Sequence, residues 1–155
     1  MGPQIITTLA VFLFCASVQN YENRGWMGII PLHSSNADVV EKLGFPNGGP
    51  LITYRFDKVN IDIVYSSSEP CHSGWNVPAG TVLRITLHIK QDSRPKLSEL
   101  NLDLSQYEKR NDIELLDIAY YENKKKGITY VVWRDEVQSI YYGPSEDDNN
   151  LRCRK

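Results

Sequence analysis

The residues of this chain that could do chemistry are three histidines, three cysteines and a scatter of carboxylates. A tetrahedral metal site draws on Cys and His ligands in closely spaced pairs. His33, His72 and His88 share no such spacing, and Cys71 and His72 are too close in sequence to pre-form a site with the other ligands missing. Nucleophilic catalysis would need a Gly-X-Ser-X-Gly elbow or a cysteine with a dedicated histidine, and the chain has neither. The paired carboxylates Asp57 and Asp62, and the run Glu146, Asp147, Asp148, fall where turns and a tail are expected, so solvation accounts for them. The one Gly pair, Gly48-Gly49, lies between Pro46 and Pro50 and forms no phosphate-binding loop. No catalytic residue, metal or cofactor is therefore assigned, and the chain reads as non-enzymatic.

The cysteines and the N-terminus suggest where the protein works. Ile5 to Ala16 is an apolar run of 12 residues, interrupted only by two threonines. It is shorter than the roughly 20 residues a bilayer-spanning helix needs and fits the apolar stretch of a secretory signal. Small residues follow at Cys15-Ala16-Ser17, and Asn20, Glu22 and Arg24 end the run. No Lys or Arg precedes Ile5, so the basic part of the signal is minimal or the start lies upstream. The competing reading is a buried N-terminal helix or strand. The expected division is a signal over 1–19 and one domain over 20–155. Removing Cys15 leaves Cys71 and Cys153 as an even pair in an oxidising compartment. A bond between them would close a loop of about 80 residues and contribute around 4 kcal/mol by chain entropy. Two free thiols are the alternative. No Asn-X-Ser/Thr sequon occurs.

The formal net charge is -2, which leaves no electrostatic footprint for nucleic acid or an anionic membrane. Lys124-Lys125-Lys126 reads as a solvated hairpin turn, and Arg152 to Lys155 as a frayed terminus. Past the signal no segment is long and apolar enough to be an integral membrane helix.

One stretch departs from routine. Residues 66–80 run for 15 positions without periodicity, which is long for a connection in a small domain. Cys71 would anchor this loop, and Trp75 supplies a large apolar ring with a hydrogen-bonding handle. Trp75 either folds back to cap the open end of a sheet or forms the centre of a surface that binds an unknown protein partner. Tyr141-Tyr142, beside Gly143-Pro144, is a second aromatic candidate, with Tyr142 taken as the contact. Successive strand residues face opposite ways, so at most one of the two is free.

These candidates must be held by elements the sequence also declares. Ser35 and Asp38 make a capping box, Val39, Val40 and Leu43 give a helical face, and Gly44 with Pro46 ends it, so a short helix is expected over 35–43. The period then changes to two. Strands are expected over 51–56, 59–65, 83–90, 100–104, 116–122, 128–133 and 137–142, mostly joined by short turns. In the clearest, Leu83, Ile85, Leu87 and Ile89 point inward and Arg84, Thr86, His88 and Lys90 outward. The fold class is α+β: an antiparallel sheet of about seven strands with one short N-terminal helix packed on it. Residues 54–67 and 130–143 read alike as aromatic hairpins with a charged turn, a likeness that hairpins often share.

Residues 28–46, from Gly28-Ile-Ile-Pro through the capped helix to Leu43-Gly-Phe-Pro46, followed by a hairpin, resemble the opening of small exported bacterial domains of the BamE-like and β-lactamase-inhibitor-protein-like group. The chain lacks that group's lipobox cysteine and has Leu32 where Gly is frequent. With its Gly74-Trp75-Asn76-Val77-Pro78 loop and Tyr142-Gly143-Pro144-Ser145 end, it is also similar to uncharacterised exported bacterial proteins, which imply no activity. The expectation is an exported, periplasmic or extracellular, non-enzymatic binding domain. An inhibitor of an extracellular enzyme and a small hydrolase are the alternatives.

Overall fold

The computed structural model describes residues 24–46, 52–115 and 117–154. The expected signal over 1–19 lies outside them. Helix α1 is Asn36–Leu43. The Ser35 hydroxyl accepts from the Asp38 N–H, and the Asp38 carboxylate accepts from the Ser35 N–H at 2.7 Å, so two free donors of the first turn are satisfied reciprocally. At the far end Gly44 turns to φ 78 and its N–H reaches the Val40 carbonyl.

Seven strands follow: β1 (Ile52–Arg55), β2 (Val59–Tyr65), β3 (Val82–Ile89), β4 (Glu108–Asn111), β5 (Ile118–Asn123), β6 (Ile128–Trp133) and β7 (Glu136–Tyr142). They form one antiparallel sheet in the order β1-β2-β3-β7-β6-β5-β4. Two meanders are thus joined by a single non-sequential pair, β3 with β7. The β6–β7 turn uses Arg134 and Asp135, both at positive φ, the backbone a two-residue hairpin loop requires.

Alternation puts Ile61, Ile63, Ile85, Leu87, Ile128, Tyr130 and Ile140 into one buried cluster, and a register shift between β6 and β7 at Val131/Val132 brings Val137 to the same face. Trp26, Ile29, Val39, Leu97 and Tyr107, from outside the seven strands, join the same cluster. On the opposite face Thr53, Asp62, Thr86, Tyr141, Thr129, Glu122 and Glu108 form one continuous cross-strand row.

Three expectations are corrected. Leu100, Leu102 and Leu104 do not form a strand. Residues Leu97–Leu100 and Leu104–Gln106 are 3-10 turns, with Leu100 and Leu102 packed against the core and Leu104 exposed. The alternation there arises from turns dipping to the core, not from a pleat. The seventh strand is instead β4, Glu-Lys-Arg-Asn, exposed along its whole length. An edge strand of charged residues has no apolar period to betray it, and that charge protects the edge from further pairing. Thr86 lies on the polar face yet is buried.

Candidate functional site

Cys71 and Cys153 form a disulfide, with Cα atoms 5.8 Å apart. It belongs to a larger clamp between the 66–80 loop and the C-terminal tail. The Cys153 N–H donates to the Gly74 carbonyl at 3.0 Å, and the Asn76 N–H donates to the Leu151 carbonyl at 2.8 Å. Between them, Trp75 and Arg152 make a β-bridge, and the Arg152 guanidinium lies 4.5 Å from the Trp75 ring centroid. Trp75 is half-buried in this stack. The loop has its own internal bracing: Ser66 Oγ donates to the Pro78 carbonyl at 2.6 Å and accepts from the Thr81 N–H. The path turns at Cys71 and Gly74, both at positive φ, a region glycine adopts freely and a cysteine only where its surroundings hold it.

The tail is held from the other side by Asp148. Its carboxylate accepts two 2.8 Å bonds from one Arg24 nitrogen, one of 2.7 Å to His33 Nε2, and two from Ser145 through the backbone N–H and the hydroxyl. Burial alone would raise this carboxyl, but the bonds from His33, Ser145 and Arg24 outweigh it and hold the group well below the usual carboxylate range. The acidic run of residues 146–148 is therefore not simply solvated. Asp147 and Glu146 are exposed, while Asp148 is a buried anchor.

Beside the clamp, on the polar sheet face, lies a groove of about 450 Å³. Its floor crosses four adjacent strands: Arg84 on β3, Tyr141 on β7, Thr129 on β6 and Glu122 on β5. Gly127 and Gly143 sit between the ends of β6 and β7. A Cβ on Gly127 would strike the Gly143 and Pro144 carbonyl oxygens, whereas one on Gly143 would meet no atom within 4 Å. Arg152 contributes to both the clamp and the groove wall. A second hollow of about 370 Å³ continues towards β4 and shares Glu122, Lys124 and Thr129.

Two carboxylates, Glu108 and Glu122, are cross-strand partners in that second hollow. Lys124 Nζ donates to Glu108 at 2.8 Å, and that hydrogen bond and the lysine charge lower the Glu108 carboxyl from its ordinary value. The ion pair holds Glu108 in its charged form across the β4–β5 edge.

A second constellation escaped the sequence reading. On the polar face His88 Nε2 is 2.9 Å from Asp62 Oδ2, Ser139 Oγ is 3.4 Å from His88 Nδ1, and Thr53 Oγ1 donates to Asp62 Oδ1. These residues stand on β3, β2, β7 and β1 and meet only through sheet register. The order Asp-His-Ser is that of an acyl-transfer triad. Acyl transfer also needs donors aimed at the developing oxyanion, and Ser139 sits on an interior strand paired with His88 on one side and Val131 on the other. The four side chains form a polar chain running from β1 through β2 and β3 to β7.

Of the aromatic candidates, Trp75 lies in the clamp. Tyr142 is corrected: its ring is 1 % exposed and part of the core, paired through β7 with Ile85 and Ile128. Tyr141 is the one that faces the groove. Among the described residues no group of three metal-ligating side chains converges, and no helix is long and apolar enough to cross a membrane. A scan of protein-family models and searches of the curated proteins and of the solved structures each returned no match to this chain.

Proposed function

We propose that this chain is an exported, non-enzymatic binding domain whose recognition surface is the Trp75–Arg152 clamp together with the groove beside it. The observation that carries the reading is the Arg152 side chain, which lies on the Trp75 ring and at the same time walls the groove. A loop of this length is normally mobile, and here a disulfide, two backbone bonds and a stacked cation fix it before any ligand arrives. Aromatic and arginine side chains on a rigid frame are what binding surfaces are enriched in. The disulfide supports an oxidising location, and the short apolar run at residues 5–16 supports export as its cause. The likeness of residues 28–65 to small exported domains points the same way. Helix α1, with Val39 in the buried cluster, would cover the apolar face and leave the polar face open for a partner.

The test is Trp75→Ala. Because the ring is half-buried and outside the main cluster, the melting temperature should stay within a few degrees of wild type while capture of the partner from the secreted fraction is lost. A large stability loss would make Trp75 a packing residue, and full retention of capture would move the surface elsewhere.

A further inference from the structure

We infer that the groove takes a carboxylate monoanion, with Arg84 as its principal contact. The inference rests on the binding-domain reading and adds the chemical class of the ligand. Five charged side chains line the groove, three basic (Arg84, Lys124, Arg152) and two acidic (Glu122, Glu146). The basic groups are not equivalent. Lys124 is tied to Glu108 at 2.8 Å. Arg152 lies on Trp75 and donates its Nε–H to Asn149, which leaves its terminal nitrogens without a partner among the described residues. The Arg84 guanidinium has no hydrogen bond or ion pair among the described residues. A guanidinium fork matches a carboxylate through two parallel N–H···O bonds, which a lysine cannot reproduce. Thr129 and Tyr141, cross-strand partners on the floor, add hydroxyls beside it. A dianion such as phosphate would bring a second charge towards Glu122 and Glu146, whereas a singly charged carboxylate is matched by the Arg84 fork alone. The volume is within the roughly 300–1,000 Å³ of small-ligand sites. A small organic acid and the C-terminal carboxylate of a peptide present the same group, and the experiment separates them.

Nitrogen-15 amide spectra of the disulfide-bonded protein should be titrated at low salt with propionate, acetyl-trialanine, acetyl-trialanine carboxamide and inorganic phosphate. The expected result is saturable shifts at Arg84, Tyr141 and Gly143 with at least one carboxylate, at least about tenfold tighter than with the carboxamide. Equal binding by propionate and acetyl-trialanine would identify a small acid as sufficient, and a clear preference for acetyl-trialanine would identify a chain end. Arg84→Gln should weaken binding by about tenfold or more, and Arg84→Lys should restore only part of it, since charge returns without the fork. Arg84 is exposed, so both variants should keep the wild-type melting temperature, and the lysine variant keeps the test interpretable should the glutamine variant misfold. Carboxamide binding equal to the acid, phosphate binding tighter than either carboxylate, an unaffected Arg84→Gln protein, or no shifts at all would each overturn the inference. Absent shifts with intact partner capture would leave the clamp reading standing. Carboxylate binding without any partner capture would remove that reading and keep this one.

Discussion

Arg24 and Asp148, 124 residues apart, meet through two 2.8 Å hydrogen bonds from a single guanidinium nitrogen. With His33 on the same carboxylate at 2.7 Å, this contact ties the first described segment to the C-terminal tail. The tail in turn carries Arg152 and Cys153 to the 66–80 loop. The clamp thus has an electrostatic support on one side and a covalent one on the other, and each can be tested alone.

Asp148→Asn should destabilise the protein by about 2 kcal/mol at neutral pH, less than the 3–5 kcal/mol of a fully buried pair because Arg24 remains partly exposed. The folded carboxyl is depressed, so its contribution is present above the ordinary carboxylate value of about 4 and is lost as pH falls towards the folded value. Urea midpoints should therefore separate wild type from Asp148→Asn at pH 7 and converge progressively below about pH 4. A gap that stays constant down to pH 2 would assign the effect to packing.

Replacing Cys71 and Cys153 together by serine opens a loop with a sequence separation of 82. The chain-entropy cost is about 4 kcal/mol, a large share of the 5–15 kcal/mol typical of a domain, and should appear as a lowered urea midpoint. The same protein should lose clamp order first, seen as faster amide exchange at Asn76 and at positions adjacent to 153 than at Ile85 or Ile140. Uniform loss across the sheet would place the disulfide in the global fold and not in the clamp.

Gly127 and Gly143 look interchangeable in sequence and should behave oppositely. Gly127 has φ 69 and no room for a Cβ, so Gly127→Ala should cost about 2 kcal/mol or more through strain and displaced carbonyls. Gly143→Ala should be close to neutral, since its Cβ would enter open groove space. Thermal melts of the two variants decide the point, and equal effects would mean that the junction of β6 and β7 adapts.

The Tyr54 and Tyr65 hydroxyls are buried without a hydrogen-bond partner among the described residues, and burial, with the nearby Tyr54, pushes the Tyr65 phenol up to about 12. An orphan buried hydroxyl is a standing cost, so Tyr54→Phe should leave stability unchanged or raise it by about 1 kcal/mol. A fall in urea midpoint of similar size would show that the hydroxyl is satisfied in solution.

What could be read from sequence was whatever is encoded locally. Ser35 and Asp38 announce α1 within four residues, and Gly44 ends it. The β1–β2 and β5–β6–β7 turns sit between runs of period two. With Cys15 assigned to an expected signal, the parity of Cys71 and Cys153 pointed to the disulfide. What could not be read depends on register between strands remote in sequence. Arg84 and Tyr141 become neighbours in the groove only because β3 pairs with β7, and Asp62, His88 and Ser139 line up for the same reason. Asp148 looked solvated because nothing in its own segment reveals Arg24 and His33 across the fold. Strand β4 was missed because an exposed edge carries charge instead of an apolar rhythm, while the Leu100–Leu104 alternation borrowed that rhythm from two 3-10 turns.

The central claim, that the groove beside the clamp is the binding surface, is tested most directly by filling it. Gly143→Trp places an indole in open space at a backbone conformation any residue can adopt. Calorimetric titration of the captured partner into wild-type and Gly143→Trp protein, matched in melting temperature, should give an affinity loss of at least about tenfold. Equal affinity for the filled groove would contradict the account.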